Sequence, residues 1–338
     1  MNFAKLVFLF LALGLVSCSI DELQTEGNYF FLRSVGADMP VWVRGNDQSD
    51  VFVLFLHGGP GGTTHEYVKT PAFSRLEQRY RVVYWDQRAS GIAQGNPNPE
   101  SNTLAQFVAD LDKVVNLLRT KYNNPKIFLM GHSWGGALGS AYLLDPLRQA
   151  KIRGWIDVDG AHNVPLTATL SRQFVIDYGD RAVVEGRDVP YWQETLARLR
   201  SNVPISTADF QSALDRANGN IYRPQIDGAQ KPYVRFVFFS PFTLAATRMS
   251  PSLDLLFNEI SGLDLSPQMG AIRLPALILW GQHDGNVPLP VGQEAYQVLG
   301  TPPGDKTLHI FEQSAHSPMD EEPIGFATQV GRFIDRYH

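Results

Sequence analysis

Residues 126–135 read Lys126-Ile127-Phe128-Leu129-Met130-Gly131-His132-Ser133-Trp134-Gly135. The first five form an apolar run of the kind that makes a strand buried on both faces. Gly131, Ser133 and Gly135 complete a G-x-S-x-G pattern, and small residues follow at Gly136, Ala137, Gly139, Ser140 and Ala141. Strand, sharp turn and helix in that order are the setting of a nucleophile elbow. Such a turn holds serine in a strained backbone conformation, and glycine on either side lets strand and helix pack closely. The strain exposes the Ser133 hydroxyl at the C-terminal edge of a sheet. It also puts the Trp134 amide at a helix N-terminus, where it can donate to a developing oxyanion. The plainer alternative is a Gly/Ser turn without chemistry; it loses ground because partners for Ser133 follow in order along the chain.

The chain has 338 residues, 44% hydrophobic and 19% charged, which allows one large domain or a domain with a sizeable insertion. Net charge is −5 with no Lys/Arg run, so nucleic-acid binding has little support. Residues 1–18 read as a leader: Lys5 is basic, and residues 6–16 are apolar but too short to span a bilayer. It ends at Leu15-Val16-Ser17-Cys18, which resembles a bacterial lipobox. The resemblance implies cleavage before Cys18, lipidation of its thiol, and a catalytic domain tethered to a membrane surface on its periplasmic or extracellular side. An ordinary signal peptide with a chance cysteine is the alternative, and either reading exports the protein. Cys18 is the only cysteine, so no internal disulfide is expected.

Two short antiparallel strands are expected over 28–33 and 40–44. Buried strands are expected over 51–56, 80–85, 126–130, 152–158, 274–280 and 306–311, with helices over 104–122 and 323–337. Strands alternating with helices imply a largely parallel sheet. From 162 to 272 the strand-like runs fade, helical patterns stand at 191–199 and 207–217, and aromatics cluster at Phe236, Phe238, Phe239 and Phe242. The expected division is therefore a core over 19–161 and 273–338, with a helical cap over 162–272 between its two parts.

A serine hydroxyl is a poor nucleophile at neutral pH and needs a base, an orienting carboxylate and an oxyanion hole. The loop after 274–280 carries Asp284, placed for the acid, and the loop after 306–311 carries His316, placed for the base. Serine, acid, histidine, each after a strand, is the chain order of the α/β-hydrolase fold. Asp157 and Asp159 are rival acids, and His132, His162, His283 and His309 rival bases. Asp305, Asp320 and Glu321 read as solvated loop charges. Metal-ligand spacings such as H-E-x-x-H do not occur, so no metal site is expected. His57-Gly58-Gly59-Pro60-Gly61-Gly62 lacks the Lys-Ser/Thr of a phosphate-binding loop. It reads better as the other half of the oxyanion hole, the Gly59 amide joining that of Trp134, each donor contributing roughly 3 kcal/mol. Pro60 is a candidate for a cis bond.

His57-Gly58-Gly59-Pro60-Gly61, Asp86-Gln87-Arg88-Ala89-Ser90-Gly91 and Gly131-His132-Ser133-Trp134-Gly135-Gly136 together resemble the proline iminopeptidase family of α/β-hydrolases. The likeness covers about 51–160 and 274–323. It implies an α/β-hydrolase core with a helical cap inserted after the sixth strand, His57–Gly61 as oxyanion loop, and 86–91 as a structural signature near the site. Ala89 stands where the family has glycine. Family members bind the substrate's free α-amino group with cap glutamates near a Trp-Glu-Gly motif. That motif is missing here, and Glu66, Glu185 and Glu194 are only available carboxylates.

The expected protein is an exported, cofactor-free serine hydrolase. Ser133, Asp284 and His316 form its triad, and the resemblance points to an aminopeptidase acting on short peptides with a free N-terminus, proline among them. A carboxylesterase or lactonase on small acyl substrates is the alternative, and a non-catalytic binding protein the rival from another class. A dehalogenase or epoxide hydrolase would need aspartate where Ser133 stands.

Overall fold

The computed structural model of the chain describes residues 27–201, 205–222 and 253–338. The leader with Cys18 and the aromatics Phe236, Phe238, Phe239 and Phe242 lie outside the described residues. In chain order the elements are β1 (Asn28–Ser34), β2 (Ala37–Gly45), β3 (Val51–Leu56), α1 (Pro71–Glu77), β4 (Arg81–Trp85), β5 (Gln94–Gly95), α2 (Leu104–Lys121), β6 (Lys126–His132), α3 (Trp134–Leu143), α4 (Pro146–Gln149) and β7 (Gly154–Val158). Then come α5 (Val164–Val184), α6 (Val189–Arg200), α7 (Thr207–Arg216) and α8 (Asp254–Ile260), followed by β8 (Ala276–Gly281), α9 (Leu289–Val298), β9 (Lys306–Phe311), α10 (Pro318–Glu321) and α11 (Pro323–Tyr337).

One sheet runs in the order β1-β2-β4-β3-β6-β7-β8-β9, with β5 paired to β2. The pairs β1–β2 and β2–β4 are antiparallel; every pair from β4–β3 to β8–β9 is parallel. All six residues of β3 are buried, because helices cover both faces and alternate side chains enter opposite layers. Phe52, Leu54 and Leu56 pack with Leu111, Val115 and Trp134 on one side. Val51, Val53 and Phe55 pack with Phe73, Val330 and Ile334 on the other. Each fully buried side chain of this size contributes about 2 kcal/mol.

The predicted first strands are longer than expected. β2 begins at Ala37 and continues through Pro40, which opposes Phe31. Val35 and Gly36, both at positive φ, make the two-residue turn. Counting from the Ser34–Ala37 pair that closes the turn, Pro40 falls in a non-hydrogen-bonded pair, so its missing N–H takes nothing from the β1 ladder. Helix α5 fully buries only small residues, Ser171, Val175, Gly179 and Ala182, while Leu166, Leu170, Phe174 and Tyr178 pack half-buried along it.

Helices α5 to α7 share a small core of Val175, Ala182, Trp192, Leu199, Ala213 and Leu214. The chain enters and leaves this helical segment side by side: Val164 N donates to Leu263 O at 2.8 Å, and Leu265 N to His162 O at 2.9 Å. Glu294 on α9 joins them, pairing with His162 Nε2 at 3.2 Å and accepting from Ser266 Oγ at 3.0 Å. Among the described residues, no helix is long and apolar enough to cross a membrane.

Candidate active site

Ser133 sits between β6 and α3 with φ 57° and ψ −119°, a conformation L-residues adopt only when the surroundings enforce it. The packing explains both flanking glycines. A Cβ on Gly131 would lie 2.2 Å from Gly135 O, and one on Gly135 would lie 2.1 Å from Leu56 O. Ser133 N donates to Val158 O at 3.0 Å, and Ser133 O accepts from Ala161 N at 3.1 Å. Trp134 opens α3, so its amide has no partner in the helix ladder. Across from the elbow, a Cβ on Gly58 would come 3.1 Å from Ser133 Cβ. Loop 57–62 therefore faces the serine closely, with Gly59 at φ 118° and a cis bond to Pro60.

Gln87, within Asp86-Gln87-Arg88-Ala89-Ser90-Gly91, ties these two pieces together, a role that its sequence position alone does not reveal. Its Oε1 accepts from Trp134 Nε1 at 2.8 Å, and its Nε2 donates to His57 O at 3.2 Å. Its own amide donates to His57 Nε2 at 3.2 Å. Asp86, fully buried, accepts from Thr64 N, Thr64 Oγ1, Thr63 Oγ1 and Ile92 N. Burial opposes its charge, but His65 and these donors hold the carboxyl well below the usual carboxylate range. Arg88, equally buried, pairs with Asp110. Asp86 thus fixes the turn that follows loop 57–62, Gln87 joins that loop to the elbow, and Arg88 links the end of β1 to α2.

The structure brings Asp284 and His316 together: His316 Nδ1 donates to Asp284 Oδ2 at 2.8 Å, and both residues are buried. Asp284 Oδ1 accepts from Asn286 N at 2.8 Å and Val287 N at 2.9 Å, which fixes the carboxylate. His132, next to Ser133, donates from Nε2 to His316 O at 2.7 Å, and the two imidazoles lie 4.9 Å apart. Loop and elbow are therefore joined directly.

The rivals stand elsewhere. Asp157 points beneath α3, its Oδ1 2.0 Å and 2.7 Å from where a Cβ on Gly160 or Gly136 would sit; burial pushes its carboxyl up to about 7. Asp159 accepts from Gly281 N at 2.9 Å, and burial together with the neighbouring Asp284 charge raises it well above the carboxylate range. His162 pairs with Glu294, His283 lies against Glu312 O and under Tyr222, and His309 stands in β9 beside Phe311. Of the available glutamates, Glu185 pairs with Arg187, Glu194 is exposed on α6, and Glu66 lies half-buried in the turn after loop 57–62.

The reading of Glu321 as a solvated loop charge is corrected by the structure. Its carboxylate accepts from Ala315 N at 3.0 Å, Ser317 N at 3.2 Å and Tyr222 N at 2.5 Å. Asp305 likewise has a partner, the Tyr337 hydroxyl at 3.0 Å. Backbone amides leave no trace in sequence, so no residue pattern announced the Glu321 contacts.

A half-buried, strained serine, a buried imidazole–carboxylate pair and two converging backbone loops have the chemistry for nucleophilic attack on a carbonyl. Residues 51–323 match the family model described as alpha/beta hydrolase fold, and the chain belongs to that family. It is similar to a probable aminopeptidase of Bacillus subtilis, 25% identical over 306 residues, 88% of this chain and 92% of that one. It is also similar to the proline iminopeptidase of Saccharolobus solfataricus, 26% identical over 301 residues, 88% and 87% of the two chains. Among solved structures, the proline iminopeptidase of Mycobacterium smegmatis shares the fold at TM-score 0.60 and 17% identity, over 92% of this chain and 98% of that one.

Proposed function

We propose that this hydrolase is a serine enzyme working through an acyl-enzyme, with short peptides or amino-acid amides bearing a free N-terminus as its substrates. The observation that carries the reading is the His316–Asp284 pair bonded, through His132, to the elbow that holds Ser133. Ser133 Oγ attacks the carbonyl carbon while His316 Nε2 takes its proton. The Gly59 and Trp134 amides hold the oxyanion of the tetrahedral intermediate. His316 returns the proton to the leaving amine as the C–N bond breaks, and Asp284 orients and stabilises the imidazolium. Water then gives its proton to His316 and attacks the acyl carbon, and Ser133 leaves with that proton. No step draws on a cofactor.

The names of the relatives support the aminopeptidase half of the reading. A second reading is an esterase or lactonase: in the helical segment Glu185 is paired with Arg187 and Glu194 is exposed, which leaves Glu66, half-buried after loop 57–62, as the carboxylate for a substrate ammonium. Fold alone does not separate these chemistries. A rate panel on protein lacking residues 1–18 does. Turnover of free-amine amides, abolished by N-blocking and by Ser133→Ala, supports the aminopeptidase. Turnover of aryl esters or lactones alone supports the second reading, and no turnover of either with folded protein contradicts both.

The Cys18 reading adds a proposal about location: export and tethering of the catalytic domain to a membrane surface by a lipid on Cys18. Mass spectrometry of protein from the membrane fraction tests it. An N-terminus at acylated Cys18 is expected, and an unlipidated N-terminus contradicts it.

A further inference from the structure

We propose that Glu321 is a positioning residue whose carboxylate locks segment 219–222 to the loop carrying His316, so that the order of this segment and the placement of the catalytic imidazole rise and fall together. The inference rests on reading His316 as the general base.

Segment 219–222 lies across both catalytic loops. Gly219 O accepts from Gly285 N at 2.8 Å, beside Asp284, and the two glycines face one another so closely that a Cβ on Gly285 would lie 2.9 Å from Gly219 Cα. Asn220 O accepts from His316 N at 3.2 Å. The Tyr222 ring stacks on His283 at 3.8 Å with 6° between planes. Glu321 closes this arrangement from beneath. Its Oε2 takes the amides on either side of His316, those of Ala315 and Ser317, and its Oε1 takes the Tyr222 amide. Glu322 fixes the start of the same loop, accepting from Gln313 N at 2.8 Å and Ser314 Oγ at 2.9 Å.

All three partners of Glu321 are donors, and they divide between its two oxygens. Only the ionised carboxylate has acceptors on both sides; a protonated acid or a glutamine amide turns a hydrogen toward an N–H. Among the described residues no ion pair includes Glu321, so amides alone hold the charge. Burial pushes the carboxyl up, the three amides pull it down, and the Asp284 charge pushes it up again, leaving it at about 7. The titratable groups around it are Asp159 after β7, Asp284 and His283 after β8, His316 after β9, Tyr222 on the segment, and Asp320 and Glu322 beside it in sequence. The lock is thus engaged above neutrality and released below it.

The test is the rate of fluorophosphonate labelling of Ser133 against pH, for wild type, Glu321→Gln and Ser133→Ala, with thermal unfolding of each. A misplacement of about 1 Å costs up to about 100-fold in rate. The expected result is labelling slowed about tenfold or more at pH 8 in Glu321→Gln. Its acid limb should follow one ionisation where wild type follows two. Labelling of Glu321→Gln within twofold of wild type, or with the wild-type steepness, overturns the proposal while leaving the serine reading intact. Wild type that does not label overturns the serine reading and this proposal with it. Hydrogen exchange on wild type needs no variant to fold. Protection at Ala315, Ser317 and Tyr222, corrected for intrinsic rates, should fall between pH 8 and pH 6; unchanged protection overturns the proposal.

Discussion

Gln87 Oε1 accepts the Trp134 indole N–H at 2.8 Å while the same side chain donates to His57 O. One amide thereby joins loop 57–62 to the elbow, the two pieces whose backbone N–H groups are proposed to hold the oxyanion. Gln87→Leu removes both bonds and leaves the Trp134 indole and the His57 carbonyl buried without partners, a destabilisation of about 1–3 kcal/mol each. Rate should fall by about 10- to 100-fold, less than the roughly 10²–10³ lost when an oxyanion donor itself is removed. Steady-state kinetics with the substrate that proves active checks this, and an unchanged kcat contradicts it.

Asp284 and Asp159 are neighbouring buried carboxyls with opposite expected responses to the same substitution. Asp284→Asn presents an N–H to the His316 Nδ1–H and enforces the wrong tautomer, so kcat should fall on the order of 10³–10⁴. Burial and the Asp284 charge push Asp159 toward its neutral form, which asparagine resembles, so Asp159→Asn should keep activity within about threefold. The reverse ranking would assign the acid to the loop after β7.

Much of this was legible in residue order. The apolar runs at Val51–Leu56 and 126–130 announced parallel strands because strands covered on both faces cannot alternate. The placement of Ser133, Asp284 and His316 at strand ends was legible because each follows such a run in a turn rich in glycine or polar residues. The antiparallel pair at 28–33 and 40–44 was legible too, but its tight turn at Val35-Gly36 was not, since it lacks the Asn-Gly or Asp-Gly that signals such turns. Glu321 stood hidden in an acidic run, Asp320-Glu321-Glu322, that reads as solvated until the fold brings three amides to it.

Asp157 should make stability depend on pH. Burial raises its folded pKa to about 7, above the unfolded value of about 3.9. Its contribution is full below the unfolded value and lost as pH rises through about 7, amounting to a few kcal/mol at alkaline pH. Urea unfolding at pH 6 and pH 9 should show wild type losing more stability than Asp157→Asn over that interval. Equal losses would remove Asp157 as the source.

Ala89 occupies a left-handed position, φ 52°. An L-residue there costs about 1–2 kcal/mol, while glycine returns about 0.4–1 kcal/mol through the unfolded chain. Ala89→Gly should therefore raise stability by about 0.5–1 kcal/mol, read as a small increase in Tm, without changing rate. A lowered Tm contradicts it.

The most direct test of the central claim is intact-mass and peptide mass spectrometry after treatment with a fluorophosphonate. A single adduct on Ser133, abolished in Ser133→Ala, is the predicted result. Folded protein without an adduct, or an equal adduct on Ser133→Ala, would contradict the account.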